Sequence, residues 1–283
     1  MRSSPAKRLE RVGAELARLR GESAAPPDAS IVIPVNVQSD LEGVLHVVDE
    51  IASYEGRRTF EVVLVINNYP PDKPPKELRT YARAGMRTVG VPSAWRSGEV
   101  VSFTARVPGA RAAASRFLVH FDADCRILNA RALLDWYVDE FERGAHAAYT
   151  HVGYYDLRPL WSVRARIAIH HGARWVKRVV LRIPTIRGSN YATDRSLFLA
   201  LYDRGLLTDD LNVGPAVKAS GGSISYGGAG ELQVLTSGRR FGGGWWKLAR
   251  YLWYRTRYNI RVLPVRTPAP GKARNPFHVK QLR

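Results

Sequence analysis

The chain has 283 residues, 45% of them hydrophobic and 24% charged, a globular balance that excludes wholesale disorder and collagen-like repeats. Its one cysteine, Cys125, excludes a disulfide framework within the monomer and fits a reducing compartment. The net charge of +18 is confined: residues 157–193 hold eight Lys and Arg, residues 232–283 hold twelve, and neither stretch has an Asp or Glu. Charge so placed points to a local anionic partner and argues against a uniformly basic nucleic-acid binder.

Residues 5–21 read as a short basic amphipathic helix with Leu9, Val12, Leu16 and Leu19 at helical spacing, followed by a linker to residue 28. Residues 31–35 are a buried strand, 40–54 a helix, 60–66 a second strand stopped by Asn67-Asn68, and 76–84 a helix. A third strand covers 87–91, a helix 102–115, and a fourth strand 117–121. Apolar runs alternating with helices predict an α/β domain with a mostly parallel central sheet. Further on, the spacing predicts a helix over 131–143, one strand over 147–154, and a long helix opened by Pro159 towards Leu181. Short helices near 194–204 and after Asp210, strands near 223–226 and 232–235, and a helix over 245–258 complete the pattern. The expected organisation is a basic helix and linker over 1–28, one catalytic domain over 29–244, and an amphipathic helix with a basic tail over 245–283. No apolar run reaches the roughly 18–20 residues that span a bilayer. Residues 1–7 lack the apolar core of a signal peptide, so a cytoplasmic protein is expected.

In an open α/β sheet, ligands bind at the carboxyl ends of the strands. Three such ends are polar here: Asn36, Asn67-Asn68, and Asp122-Ala123-Asp124. No glycine-rich dinucleotide or P-loop signature follows the first strand. Two carboxylates one residue apart at a strand end suit a hard cation, Mn2+ or Mg2+, held together with phosphate oxygens; alone, the same pair also fits a solvated turn that caps the next helix. Asp209-Asp210 likewise fits either a helix cap or a catalytic carboxylate. Adjacent His170 and His171 point in different directions on a helix and read as surface or acceptor-side residues, not metal ligands.

The stretch from Ala105-Arg106-Val107-Pro108-Gly109 through Phe117-Leu118-Val119-His120-Phe121 to Asp122-Ala123-Asp124 resembles the nucleotide-sugar half of family-two glycosyltransferases. Gly188-Ser189-Asn190-Tyr191-Ala192-Thr193-Asp194-Arg195-Ser196 is similar to that family's Gly-x-Asn segment. Leu207-Thr208-Asp209-Asp210-Leu211 is similar to its Glu-Asp segment, and Thr236-Ser237-Gly238-Arg239-Arg240 to its Ser-x-Arg-Arg turn. The segments occur in family order. The resemblance implies a GT-A-type, Rossmann-like fold and transfer of one sugar, with inversion, from a nucleotide-diphosphate sugar with the help of a divalent cation. It implies Asp124 and Asp122 at the metal, and Pro34, Asn36, Asn67, Arg106, Arg239 and Arg240 around the donor. It implies Gly188, Ser189 and Asn190 on the acceptor side, with Asp210 as general base and Asp209 beside it. Departures from the pattern are Asn67 for Asp, Val107 for Asn, Asp194 for Arg, Asp209 for Glu and Asn212 for Asp. A nucleotidyltransferase would need a basic glycine-rich loop after the first strand, and residues 35–40 have none. A nucleic-acid binder leaves the Asp motifs unexplained.

In the last helix, Trp245, Leu248, Ala249, Leu252, Trp253 and Thr256 share one side, and Lys247, Arg250, Tyr254 and Arg257 the other. This pattern fits an interfacial helix on an anionic membrane surface and equally a helix docked on its own domain. A polyprenyl-phosphate acceptor would use both the charge and the aromatic face.

Overall fold

The computed structural model describes residues 5–21, 25–92, 101–184, 186–228, 230–238, 241 and 244–262. A seven-stranded sheet forms the centre, in the order β3-β2-β1-β4-β8-β6-β9. Its first four members are β1 (Ala29–Asn36), β2 (Phe60–Asn67), β3 (Arg87–Val91) and β4 (Phe117–Phe121). Their pairings are all parallel. β6 (Ala147–Thr150), β8 (Asn190–Asp194) and β9 (Ile224–Gly227) extend the sheet, with β8 antiparallel to both β4 and β6.

The central strands are apolar throughout because both faces are covered. Along β1 and β2, Ile31, Ile33, Val35, Val62, Leu64 and Ile66 face one core, and Val32, Val63 and Val65 face the other. The first core is closed by α1 (Pro5–Arg20), α2 (Leu41–Ala52) and α5 (Ala130–Glu142). The second is closed by α4 (Val101–Ala112), α7 (Arg195–Asp203) and α8 (Asp210–Ala219); α3 (Glu77–Arg83) flanks β3 at the sheet edge. The N-terminal helix is docked: Val12, Leu16 and Leu19 are buried in the first core, and Arg8 and Arg11 reach Asp49 at 3.1 and 2.8 Å. Gly109 brings α4 against the sheet; a Cβ there would stand 2.6 Å from side-chain carbons of Val32 and Val65.

Three boundaries differ from expectation. The predicted strand over 147–154 is two strands in different sheets. β7 (Val152–Tyr154) belongs to a small sheet β5-β10-β7, with β5 (Arg126–Ile127) and β10 (Val234–Thr236). Strand conformation resumes after the single residue His151, so the sequence does not reveal the break. Pro159 lies before α6 (Trp161–Trp175), which ends in a π-helical turn (Val176–Val180). The last helix, α9, runs Gly244–Val262.

Candidate active site

β1 is flanked by β2 on one side and β4 on the other, so the crevice at their carboxyl ends lies where the chain direction of the sheet switches. Pro34 sits in that half of β1, beyond Val32, where the β1–β4 ladder ends, so its missing N–H interrupts no pairing with β4. Asn36 and Asn67 are register partners at the ends of β1 and β2. Asn36 Oδ1 accepts from Gln38 N at 2.9 Å and from Asn68 Nδ2 at 3.1 Å, holding the turn. Asn67 is buried; its Nδ2 donates to Val65 O at 3.3 Å, and its Oδ1 has no partner among the described residues.

Arg106 organises the centre. It is fully buried on α4, and its guanidinium joins three segments. Nε donates to Asp210 Oδ1 at 3.0 Å, Nη2 to Asp122 Oδ1 at 2.6 Å and Gly188 O at 2.5 Å, and Nη1 to Phe121 O at 3.2 Å. Burial opposes its charge, but Asp210 and Asp122 outweigh that and hold it above its ordinary value. Tyr191 adds a second donor, its hydroxyl reaching Asp210 Oδ1 at 3.0 Å. Asp210 Oδ1 is therefore occupied twice, while Oδ2 lies against Gly188, where a Cβ would be 2.4 Å away. Only glycine fits there.

The strand-end pair sits on the turn after β4. Burial pushes the Asp122 carboxyl up to about 7, with Asp124 and Asp210 adding to the rise and Arg106 opposing it. Its side chain keeps 35% of its surface open, and water softens the rise without reversing it. Asp124 Oδ1 accepts from Thr236 Oγ1 at 3.3 Å, which ties β10 to the same corner. Among the described residues no cluster of three His, Cys, Asp or Glu forms a closed metal site. Two hard carboxylates with open positions suit a cation completed by water and phosphate oxygens.

Other predicted site residues lie elsewhere. Asn190 is 1% exposed, and its amide is spent on the Tyr137 hydroxyl and Thr150 Oγ1 in the first core. Strand alternation explains this: in β8, Tyr191 faces Asp210, so Asn190 points away from it. Asn190 thus spends its side chain on supporting the strand. Ser189 is buried, and its carbonyl accepts from the Cys125 thiol at 3.0 Å; burial pushes that thiol well up, so it is inert. Asp209 is the N-cap of α8, its carboxylate accepting from Leu211 N at 2.8 Å, and Asn212 completes a capping box. Of this pair Asp209 caps the helix, while Asp210 turns to Arg106 and Tyr191. Val107 packs into the second core. Asp194 caps α7 and pairs with Arg116 at 3.0 Å. Arg239 and Arg240 lie outside the described residues. His170 is buried and contacts Arg187, which removes the surface alternative for it and leaves the acceptor-side one. Tyr191, Thr236 and Arg187 were given no role by the sequence, although Tyr191 lies inside the Gly188–Ser196 motif and Thr236 opens the Thr236–Arg240 one.

α9 docks through Leu248, with Tyr251 beside His170 at a ring distance of 5.7 Å. Trp246 and Trp253 are 79% and 69% exposed. The predicted grouping of Leu248 with Trp253 on one face is thus split, because the docking stripe runs through Leu248 and Tyr251. No helix among the described residues is long and apolar enough to cross a membrane.

No family model matches the sequence, and no curated protein matches it either. Solved structures similar to it include glucosyl-3-phosphoglycerate synthase from Mycobacterium tuberculosis in complex with Mn2+, UDP and phosphoglyceric acid. That match has TM-score 0.50 and 17% identity, covering 96% of this chain and 86% of the other. A mannosyltransferase from Pyrobaculum calidifontis in complex with GDP-Man and Mn2+ matches with TM-score 0.53 and 16% identity, over 93% and 78% of the two chains. GalNAc-T7 with UDP, GalNAc and Mn2+ matches with TM-score 0.51 and 17% identity, over 77% of this chain and 46% of that one. This chain has the fold of GT-A-type glycosyltransferases.

Proposed function

We propose that the protein transfers one hexosyl group, with inversion, from a nucleotide-diphosphate sugar to an acceptor hydroxyl, using a divalent cation, Mn2+ or Mg2+. The observation that carries this reading is the Arg106 bridge, which brings the strand-end carboxylate Asp122 and the helix-start carboxylate Asp210 to one guanidinium. Asp124 and Asp122 hold the cation, which when bound neutralises charge on the departing diphosphate. Asn67 Oδ1 offers an acceptor to a base N–H, and Pro34 and Asn36 shape the same end of the crevice. Arg239 and Arg240 follow the small sheet that carries Thr236 and clamp the diphosphate. Asp210 takes the acceptor proton on Oδ2, since Oδ1 is held by Arg106 and Tyr191; those two donors fix the orientation of the carboxylate. Gly188 leaves the space that Oδ2 needs, and Asp209 holds the first turn of α8 so that Asp210 stays in register.

Trp175 at the end of α6, Val179, Val180 and Leu181 after it, and Trp246 and Trp253 on α9 are all exposed in the two stretches that lack acidic residues. We assign this surface to peripheral contact with an anionic membrane, consistent with a lipid-linked acceptor.

Thermal-shift titration with UDP, GDP and their hexose conjugates, with and without Mn2+, tests the donor assignment. A nucleotide should bind in a Mn2+-dependent manner, and Asp124→Ala should abolish the Mn2+ dependence while leaving the unliganded melting point within a few degrees. Mn2+-dependent binding that persists in Asp124→Ala would sink it.

A further inference from the structure

Beside the crevice lies a group of cations that its carboxylates do not balance. Arg187 is 9% exposed. Its Nη1 donates to the Tyr154 hydroxyl at 2.9 Å and its Nη2 contacts His170 Nε2. Neither is a carboxylate, and among the described residues Arg187 has no ion pair. Arg166, 6% exposed, lies over the Trp245 ring at 5.6 Å, and its Nε has no hydrogen-bond partner among the described residues. Arg178 stacks on the Tyr226 ring at 3.6 Å, and His151 stacks on His171 at 4.8 Å. Residues 157–193, which supply most of these groups, contain no Asp or Glu.

A buried charge without a counter-charge is strongly disfavoured, and proteins retain one where a ligand supplies the missing partner. Arg106 makes the contrast plain: equally buried, it is met by two carboxylates. Positive charge around Arg187 adds to the effect of burial on its neighbours. Burial, then the Arg187 charge, draws Arg174 down to about 9. Burial, then His151, Arg174 and Arg187, draws His171 down to about 4. Arg187 itself stays charged, since the Tyr154 and Tyr251 hydroxyls outweigh the opposition of burial.

The position of the cluster is specific. Arg187 immediately precedes Gly188, whose carbonyl accepts from Arg106 and whose Cα adjoins Asp210. Tyr154 is the register partner of Thr236, which donates to Asp124. The guanidinium is thereby held by backbone on one side to the proposed base and on the other to the metal corner.

We propose that Arg187, with the Tyr154 hydroxyl, forms a subsite for a tetrahedral oxyanion, namely a phosphate group carried by the acceptor. This rests on the glycosyl-transfer reading above. A phosphate in this crevice has two sources, the donor diphosphate and the acceptor. The diphosphate is assigned to the cation at Asp122 and Asp124, whereas Arg187 is the chain neighbour of Gly188, which packs against the proposed base Asp210. A planar fork of donors beside a hydroxyl and further cations is the arrangement that recognises phosphate.

Inorganic phosphate is the first probe, titrated into the full chain at constant ionic strength with chloride as control, and read by tryptophan fluorescence and thermal shift. Phosphate should bind, and should still bind when UDP or GDP with Mn2+ is saturating. Arg187→Gln should weaken it by about tenfold or more, and Arg187→Lys, which keeps the charge but not the fork, by less. Tyr154→Phe, which removes the hydroxyl beside Arg187, should weaken it in the same direction and serves if Arg187→Gln fails to fold. No phosphate response beyond chloride overturns the subsite. Displacement of phosphate by nucleotide with Mn2+ overturns the acceptor assignment and gives the subsite to the donor. If phosphate binds through Arg187 but no nucleotide binds with any cation, the glycosyl-transfer reading fails, and the acceptor assignment falls with it. Phosphatidylcholine vesicles with and without phosphatidic acid separate the two forms of acceptor. Binding to phosphatidic acid that depends on Arg187 supports a lipid phosphate; dependence seen with free phosphate alone supports a soluble one.

Discussion

Gly188 and Asp210 approach so closely that no side chain fits between them: a Cβ on Gly188 would stand 2.4 Å from Asp210 Oδ2 and 2.9 Å from its Cγ. The contact joins the loop before β8 to the first residue of α8, two segments that meet only in the folded chain. Arg106 closes the same junction from below, receiving Gly188 O and Asp210 Oδ1 on one guanidinium.

Gly188→Ala should therefore displace Asp210 and reduce sugar transfer by at least about tenfold, the scale on which misplaced catalytic groups lose rate. Gly172→Ala is the control. Gly172 lies within α6 with nothing within 4 Å of the added Cβ, and the change should stabilise by about 0.5–1 kcal/mol. Activity assays and urea melts of both variants check the pair. Equal activity in Gly188→Ala and wild type would show that Oδ2 needs no such space.

Asp194 predicts a dependence on acid. Burial pushes its carboxyl up, but the Ser196 hydroxyl, the Leu197 N–H and Arg116 outweigh this and hold it below the ordinary value. A depressed carboxylate contributes stability that is present above its unfolded value of about 3.9 and lost as pH falls through its folded value. Asparagine keeps the cap and loses the charge. Asp194→Asn should thus be less stable than wild type by up to about 1 kcal/mol near neutrality, since Arg116 is mostly exposed. The gap should close below about pH 4. Urea melts across that range measure it, and a gap that widens in acid would contradict the assignment.

The parallel half of the sheet and the polar strand ends were legible because each strand is short, apolar and followed by a turn, and strand ends collect ligands in such sheets. Asn190 shows where that reading stops. A motif names residues but not the side of the strand each one faces, and in β8 the residue on the Asp210 side is Tyr191. The second sheet escaped notice for a related reason: residues 147–154 keep strand character while the chain passes from one sheet to the other. Arg187 escaped for a third. A run of basic residues points to an anionic partner as a whole, and only the fold shows which of them is buried without a carboxylate.

The outward aromatic side chains of α9 make a prediction about surfaces. Trp246 and Trp253 are exposed, so replacing both by alanine should leave the melting point nearly unchanged. The wild-type chain should float with vesicles containing phosphatidylglycerol, less so as salt rises, and the double variant should not. Recovery that is equal on neutral and anionic vesicles, or absent on both, would leave α9 with its docking role on α6 alone.

The two neighbouring carboxylates at the start of α8 should separate cleanly. Asp210 reaches the crevice and holds Arg106 and Tyr191, whereas Asp209 caps the helix with Asn212. Asparagine at 210 keeps the shape and one acceptor oxygen but cannot take a proton, and base catalysis contributes about 10²–10⁴ in rate. Asp210→Asn should bind nucleotide and cation as wild type does, yet transfer sugar at least about a hundredfold more slowly. Asp209→Asn retains a capping side chain and should keep near-wild-type stability and turnover. Asp209→Ala loses the cap and should cost about 1 kcal/mol in stability, with activity falling only as far as Asp210 loses its register. Side chains this close can couple, so the double variant is measured alongside the single ones. Turnover of Asp210→Asn at the wild-type rate, with nucleotide and cation bound, would place the base elsewhere in the crevice. A dead Asp209→Asn with an active Asp210→Asn would exchange the two roles.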